Sequence, residues 1–128
     1  MEVRIEKDAD GTYIAYSVGE NDMVIIGRGD SVKEAKEDFY NSMEEMLEDM
    51  TVEEKSLITE PVFHFDISSL FEYYKVINVS AFAKLIGINA CLLRQYKMGK
   101  TYVSDKQIEK IEDGIHELGK ELCELKLT

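Results

Sequence analysis

The sequence predicts an α+β chain, with a β-β-β-α-β half followed by an all-helical half. Three observations carry this. Apolar residues alternate with polar ones over residues 1–6, the period of a strand half-buried in a sheet, and residues 12–18 and 61–67 are short runs with one apolar face each. From Val32 the apolar positions advance in steps of three and four, the period of a helix with one buried stripe. From Ser68 onward only the helical period remains, interrupted at glycines.

The elements follow in order. Val3 and Ile5 alternate with Glu2, Arg4 and Glu6 in a first strand, and Asp8-Ala9-Asp10-Gly11 has the chemistry of a turn. Residues 12–18 are rich in β-formers, with Ile14, Tyr16 and Val18 on one face; Gly19-Glu20-Asn21-Asp22 turns again into a third strand over residues 23–27. Gly27-Arg28-Gly29-Asp30 ends that strand. Ser31 and Glu34 form a capping box for a helix whose stripe is Val32, Ala35, Phe39, Met43, Met46 and Met50. Methionines at this spacing read as core packed on the sheet. Residues 51–60 read as a connector with a possible helical turn, and residues 61–67 as a strand with Phe63, Phe65 and Ile67 on one side.

In the second half, Leu70, Phe71, Tyr74 and Val76 mark a first short helix. Ser80 can cap a second helix that buries Phe82, Ala83, Leu85 and Ile86 and stops at Gly87. Asn89 can cap a third, with Leu92, Leu93 and Tyr96 inward and Gly99 at its end. Ser104 and Gln107 make a capping box for a last helix with the stripe Ile108, Ile111, Ile115, Leu118, Leu122 and Leu125; Gly114 and Gly119 lie inside it and allow another helix to approach. The composition shift sets a module boundary between residues 67 and 68.

Charge divides the chain in the same way. The net charge is −11, and residues 1–62 hold 6 Lys or Arg against 17 Asp or Glu, whereas residues 63–128 hold 9 of each. Within residues 78–106, Lys84, Arg94, Lys97, Lys100 and Lys106 face Asp105 alone. The first half therefore repels nucleic acid, while a patch of the second tolerates it. The start of the sequence lacks the basic and apolar regions of a signal peptide, and the longest apolar run is far too short to span a bilayer, so a cytoplasmic protein without membrane contact is expected. Cys91 and Cys123 lie far apart, as do His64 and His116. No clustered ligand pairs exist for a structural zinc, and neither a metal nor another cofactor is expected.

The segment Ser80-Ala81-Phe82-Ala83-Lys84-Leu85-Ile86-Gly87-Ile88-Asn89 has the layout of a helix-turn-helix: a capped helix stops at a glycine and a new one begins two residues later. The second helix then presents Asn89, Ala90, Cys91, Arg94 and Gln95 toward a major groove. Arg94 suits guanine and Gln95 suits adenine. Lys97, Lys100 and Tyr102 lie just beyond and can hold phosphates, as can Lys84 from the preceding helix.

The stretch Phe82-Ala83-Lys84-Leu85-Ile86-Gly87-Ile88 to Tyr96-Lys97-Met98-Gly99-Lys100 resembles the Cro/repressor type of helix-turn-helix. The run from Gly99-Lys100 to Ser104, with Ile108, Ile111-Glu112, Ile115-His116, Leu118-Gly119 and Glu121-Leu122, is similar to the helical ends of antitoxins of the HicB family. Gly11-Thr12-Tyr13-Ile14-Ala15 and Gly29-Asp30-Ser31-Val32-Lys33-Glu34-Ala35 look like two local signatures of the N-terminal domain of that family. The resemblance covers nearly the whole chain, and the order and spacing of its motifs are what make it specific. It implies a partial ribonuclease H-like fold over residues 1–67 that binds a toxin, then a DNA-binding and dimerisation domain over residues 68–128. It also implies an activity: capture of a small HicA-type, mRNA-cleaving toxin and repression of the antitoxin's own operon by a homodimer or larger homo-oligomer. An acidic first half suits a basic, RNA-binding partner.

Two other function classes compete. A ribonuclease H-like fold invites a search for paired carboxylates that bind metal ions, and Asp8, Asp10 and Asp30 are the candidates. Turn and cap chemistry accounts for all three, so no catalytic residue and no enzyme activity is expected. The remaining class is a stand-alone helix-turn-helix regulator whose first half senses a ligand or another protein.

Overall fold

Four strands and six helices build the described residues, 1–19 and 24–128, of the computed structural model, and the chain is α+β. It divides into two units, Met1–Lys75 and Val76–Thr128.

In the first unit, β1 (Glu2–Lys7), β2 (Tyr13–Val18), β3 (Ile26–Gly29) and β4 (Val62–Phe65) form one sheet in the order β3-β2-β1-β4. β1 pairs antiparallel with β2, and β2 with β3, as two hairpins require; β4 pairs parallel with β1. A parallel partner needs a crossover, and α1 (Val32–Glu48) with α2 (Val52–Lys55) provides it. The register puts Ile5 opposite both Ala15 and Phe65, and Val3 opposite Ser17 and Phe63. These residues share the face that α1 covers. There Val3, Ile5, Tyr13, Ala15, Ile25, Val32, Ala35 and Phe39 form the buried core, with Met43, Met46, Phe63 and Phe65 packed at its margin.

The inward face of β2 is therefore Tyr13 and Ala15, not the more apolar Ile14, Tyr16 and Val18. Pairing with Val3 and Ile5 decides this, because a strand's alternation admits only one face at a time. On the open face, the Tyr16 hydroxyl donates to Glu6 Oε1 at 2.9 Å.

Gly27 lies inside β3 and Gly29 is its last residue, so the strand continues two residues past the expected Gly27. A Cβ on Gly27 would overlap the backbone of Ala35 and Phe39, and one on Gly29 would overlap Glu34. Both glycines let α1 lie directly on the edge of the sheet. The expected turn over residues 19–22 and the start of the third strand at Met23 involve residues 20–23, outside the described residues.

Local capping follows the sequence closely. Ser31 accepts the Glu34 N–H at 3.2 Å, and Glu34 Oε2 accepts the Asp30 N–H at 2.8 Å, so the capping box reaches one residue further back than its usual form. α1 stops at Glu48, leaving Met50 beyond its end. Thr51 caps α2.

β4 ends at Phe65, short of the expected Ile67, because Asp66 opens α3 (Ile67–Tyr73). One oxygen of Asp66 accepts the Ser69 N–H at 2.7 Å and the other accepts the Lys7 N–H at 3.0 Å. Glu72 reaches the first turn of α1, and the Phe65, Tyr73 and Tyr74 rings pack together. Lys36 of α1 lies 4.6 Å from the Phe63 ring and 4.7 Å from the Tyr73 ring. These contacts join α3 to the sheet unit, which ends at Lys75 and not at the expected residue 67. Val76, expected on the first short helix, lies past it and is exposed.

The second unit holds α4 (Val79–Ile86), α5 (Ala90–Met98) and α6 (Asp105–Glu124). Phe82, Ala83, Ile88, Leu93, Tyr96 and Ile111 are buried hydrophobic residues of this unit. Ser104 caps α6 by accepting the Gln107 N–H at 3.3 Å. Gly114 is buried beneath Ile86 and Phe82 of α4, whereas Gly119 has open space around it, so only the first glycine serves a close helix approach. Of the α6 stripe, Ile111 is buried, while Ile108 at 42% and Leu122 at 61% are exposed. Among the described residues, no helix is long and apolar enough to cross a membrane.

Candidate functional site

The candidate site is the pair α4 and α5 with the turn between them. Asn78, not the expected Ser80, caps α4: its Oδ1 accepts the Ala81 N–H at 2.9 Å. The helix thus begins before Ser80, and the Ser80 hydroxyl is left for another partner. Gly87 ends α4 in the left-handed region, at φ 73°, where only glycine carries no Cβ penalty. The Ile88 N–H then returns to the Ala83 carbonyl at 3.0 Å, and Lys110 Nζ donates to the Gly87 carbonyl at 3.3 Å. Ile88 is buried and pins the turn. Leu85, expected in the core, is 60% exposed, because Phe82, Ala83 and Ile86 occupy the inward side of this short helix.

Asn89 opens α5, its Oδ1 accepting the N–H groups of Cys91 at 2.9 Å and Leu92 at 3.3 Å. That oxygen is a cap, which limits what Asn89 can offer a base. Leu93 and Tyr96 hold the inner face, with Leu92 half-buried. Gly99 ends the helix at φ 75°. The predicted contact residues Cys91, Arg94, Gln95, Lys97, Lys100 and Tyr102 are exposed, as is Lys84 on α4, while Ala90 is half-buried.

The structure brings several of these together. Arg94 Nη1 donates to Ser80 Oγ at 3.2 Å, and Nη2 donates to Cys91 Sγ at 3.4 Å. Thr101 Oγ1 donates to Gln95 Oε1 at 3.4 Å. Sequence spacing does not mark Ser80 or Thr101 as contact residues. Ser80 carried only a capping signal, and a side-chain bond between two helices leaves no local pattern. Among the described residues, no carboxylate is within ion-pair distance of Lys84, Arg94, Lys97 or Lys100. Their charge is uncompensated and available to an anion.

Of the three carboxylates suited to metal chemistry, those of Asp8 and Asp10 hold the local backbone. Asp10 accepts the Thr12 hydroxyl at 2.6 Å and the Thr12 N–H at 3.0 Å, and the hydroxyl bond leads in lowering its pKa below the ordinary 3.8. Asp8 accepts the Ala9 N–H at 2.8 Å and pairs with Arg28 at 3.4 Å. Among the described residues, no group of three or more His, Cys, Asp or Glu is arranged to hold a metal ion. Glu37, Glu44 and Glu48 stand exposed on α1.

No family model matches this chain, and no curated protein and no solved structure matches it.

Proposed function

We propose that the chain is a HicB-type antitoxin: its first unit captures and neutralises a small basic toxin of the HicA type, and its second unit represses the operon by binding DNA. In this reading the first unit is a partial ribonuclease H-like domain. The strand order β3-β2-β1-β4, with β4 parallel to β1, supports that reading. α4 and α5 form a helix-turn-helix, with α5 as the element that enters the major groove.

One observation carries the proposal. An acidic sheet unit is joined to a helical unit whose α4–α5 pair projects Arg94, Gln95, Lys97 and Lys100 with no acidic partner among the described residues. An acidic surface steers a basic partner, and an uncompensated basic patch beside a helix steers phosphate. The exposed Leu122 and Leu125, continuing the half-buried Leu118 along α6, support self-association, with two copies presenting two α5 helices to a two-fold operator.

Two measurements test it together: electrophoretic mobility shift of the chain on DNA from upstream of its own gene, and rescue of cells that express the adjacent short, basic, histidine-containing reading frame. Retarded DNA with rescue is expected. The competing reading, a regulator that senses a small molecule, draws on a cavity of about 200 Å3 lined by Met1, Ile25, Met46, Leu57 and Ile58. DNA binding with no such toxin beside the gene selects that reading instead.

A further inference from the structure

Arg94 is tethered on the exposed surface of α5 by two side chains. Ser80 holds Nη1 at 3.2 Å from the neighbouring helix, and Cys91 holds Nη2 at 3.4 Å from one turn earlier on the same helix. Among the described residues, neither side chain makes another hydrogen bond. Asn78 caps α4, so Ser80 is not needed for that, and Cys91 is a free, exposed thiol. An exposed arginine ordinarily samples many rotamers and loses that freedom on binding. With each terminal nitrogen making one of these bonds, each keeps a second N–H, so the guanidinium still has a pair of donors to offer.

We propose that Ser80 and Cys91 are positioning residues that hold Arg94 ready for one base, and so set sequence preference without touching DNA. The inference rests on the reading of α4 and α5 as a DNA-contacting pair. Guanine is the base whose O6 and N7 accept two parallel bonds from a guanidinium. A side chain ordered before binding loses less freedom on binding, and that gain applies only where the held geometry fits the base. Cys91, whose place on α5 suits a base contact, is here the second tether. Its short side chain reaches Arg94 along the helix, whereas a base edge needs a longer one.

The test is selection of binding sites by the full chain from a pool of random DNA duplexes, with each variant checked for unchanged thermal unfolding. The wild type should select guanine at one position of each half-site, and Arg94→Ala should lose that preference. Ser80→Ala should weaken it by about threefold to tenfold at the same position only, leaving affinity for random duplex unchanged. Ser80→Thr and Cys91→Ser, which keep an acceptor, should retain it. In the Arg94→Ala background, Ser80→Ala should have no further effect. An unaltered preference in Ser80→Ala, or an equal change with Arg94 already removed, overturns the positioning role while leaving DNA binding intact. A wild-type chain that selects no sequence overturns the DNA-binding reading and this inference with it.

Discussion

Glu72 of α3 accepts the backbone N–H of Val32, the first residue of α1, at 2.9 Å. The two residues are 40 positions apart, so α3 completes the N-terminal turn of a helix in the sheet unit. The contact places a carboxylate where the helix dipole is positive. Its neighbour Lys75, 3.7 Å from Glu72 and largely exposed, contributes little beside it. Glu72→Ala should lower stability by about 1–2 kcal/mol, and Glu72→Gln by less, since the amide keeps an acceptor without the charge. Urea titration followed by circular dichroism measures both; equal losses would argue against the charge.

The two glycines of α6 should respond with opposite sign. Gly119 has open space where a Cβ would go, so Gly119→Ala should raise stability by about 0.5–1 kcal/mol through helix propensity. At Gly114 the added Cβ would overlap Ile86 Cγ2, and Gly114→Ala should cost about 1–3 kcal/mol through overpacking. The shifts in melting temperature, up for one and down for the other, are the readout.

Ser69 is fully buried on α3, and among the described residues its hydroxyl has no hydrogen-bond partner. A buried unsatisfied hydroxyl is destabilising, and alanine removes it with almost no loss of volume. Ser69→Ala should stabilise the protein by up to about 1 kcal/mol. A loss of stability in the denaturation midpoint would mean that the hydroxyl has a partner in solution.

Alkaline pH should weaken the fold through its tyrosines. Burial, and then the Glu72 and Asp66 carboxylates, raise the Tyr13 pKa above the ordinary 10.0; burial and then the bond to Glu6 raise that of Tyr16. A raised folded-state pKa means the unfolded chain ionises first. The contribution is therefore full below about pH 10 and is lost as pH rises through the folded values. Tyr13→Phe should flatten the fall in stability above about pH 10, at some cost at neutral pH. Urea midpoints across the alkaline range compare the two proteins.

If α5 enters a DNA groove, Lys97 and Lys100 act on phosphate and not on sequence. Lys97→Ala and Lys100→Ala should each weaken all duplexes alike and reduce the salt slope of binding by about 1. Fluorescence anisotropy against log salt gives that slope directly. A change in sequence preference would assign these lysines to base contacts.

Sequence alone determined what depends on near neighbours. The caps at Ser31, Asn89 and Ser104 and the left-handed stops at Gly87 and Gly99 each involve groups within a few residues, so their chemistry is legible from spacing. The alternation of β1 and the stripe of α1 are equally local. Tertiary structure decided whatever needed a partner distant in sequence. Ile14 and Tyr16 have the stronger apolar pattern, yet Tyr13 and Ala15 face inward because β1 sets the register. Gly27 and Gly29 carry the composition of a turn, but the approach of α1 makes them strand residues. At the start of α4, Asn78 and Ser80 both had the chemistry of a cap. Asn78 took the backbone, and the arrival of Arg94 from α5 gave Ser80 its partner. A hydroxyl or a glycine has several satisfactory uses locally, and packing selects among them.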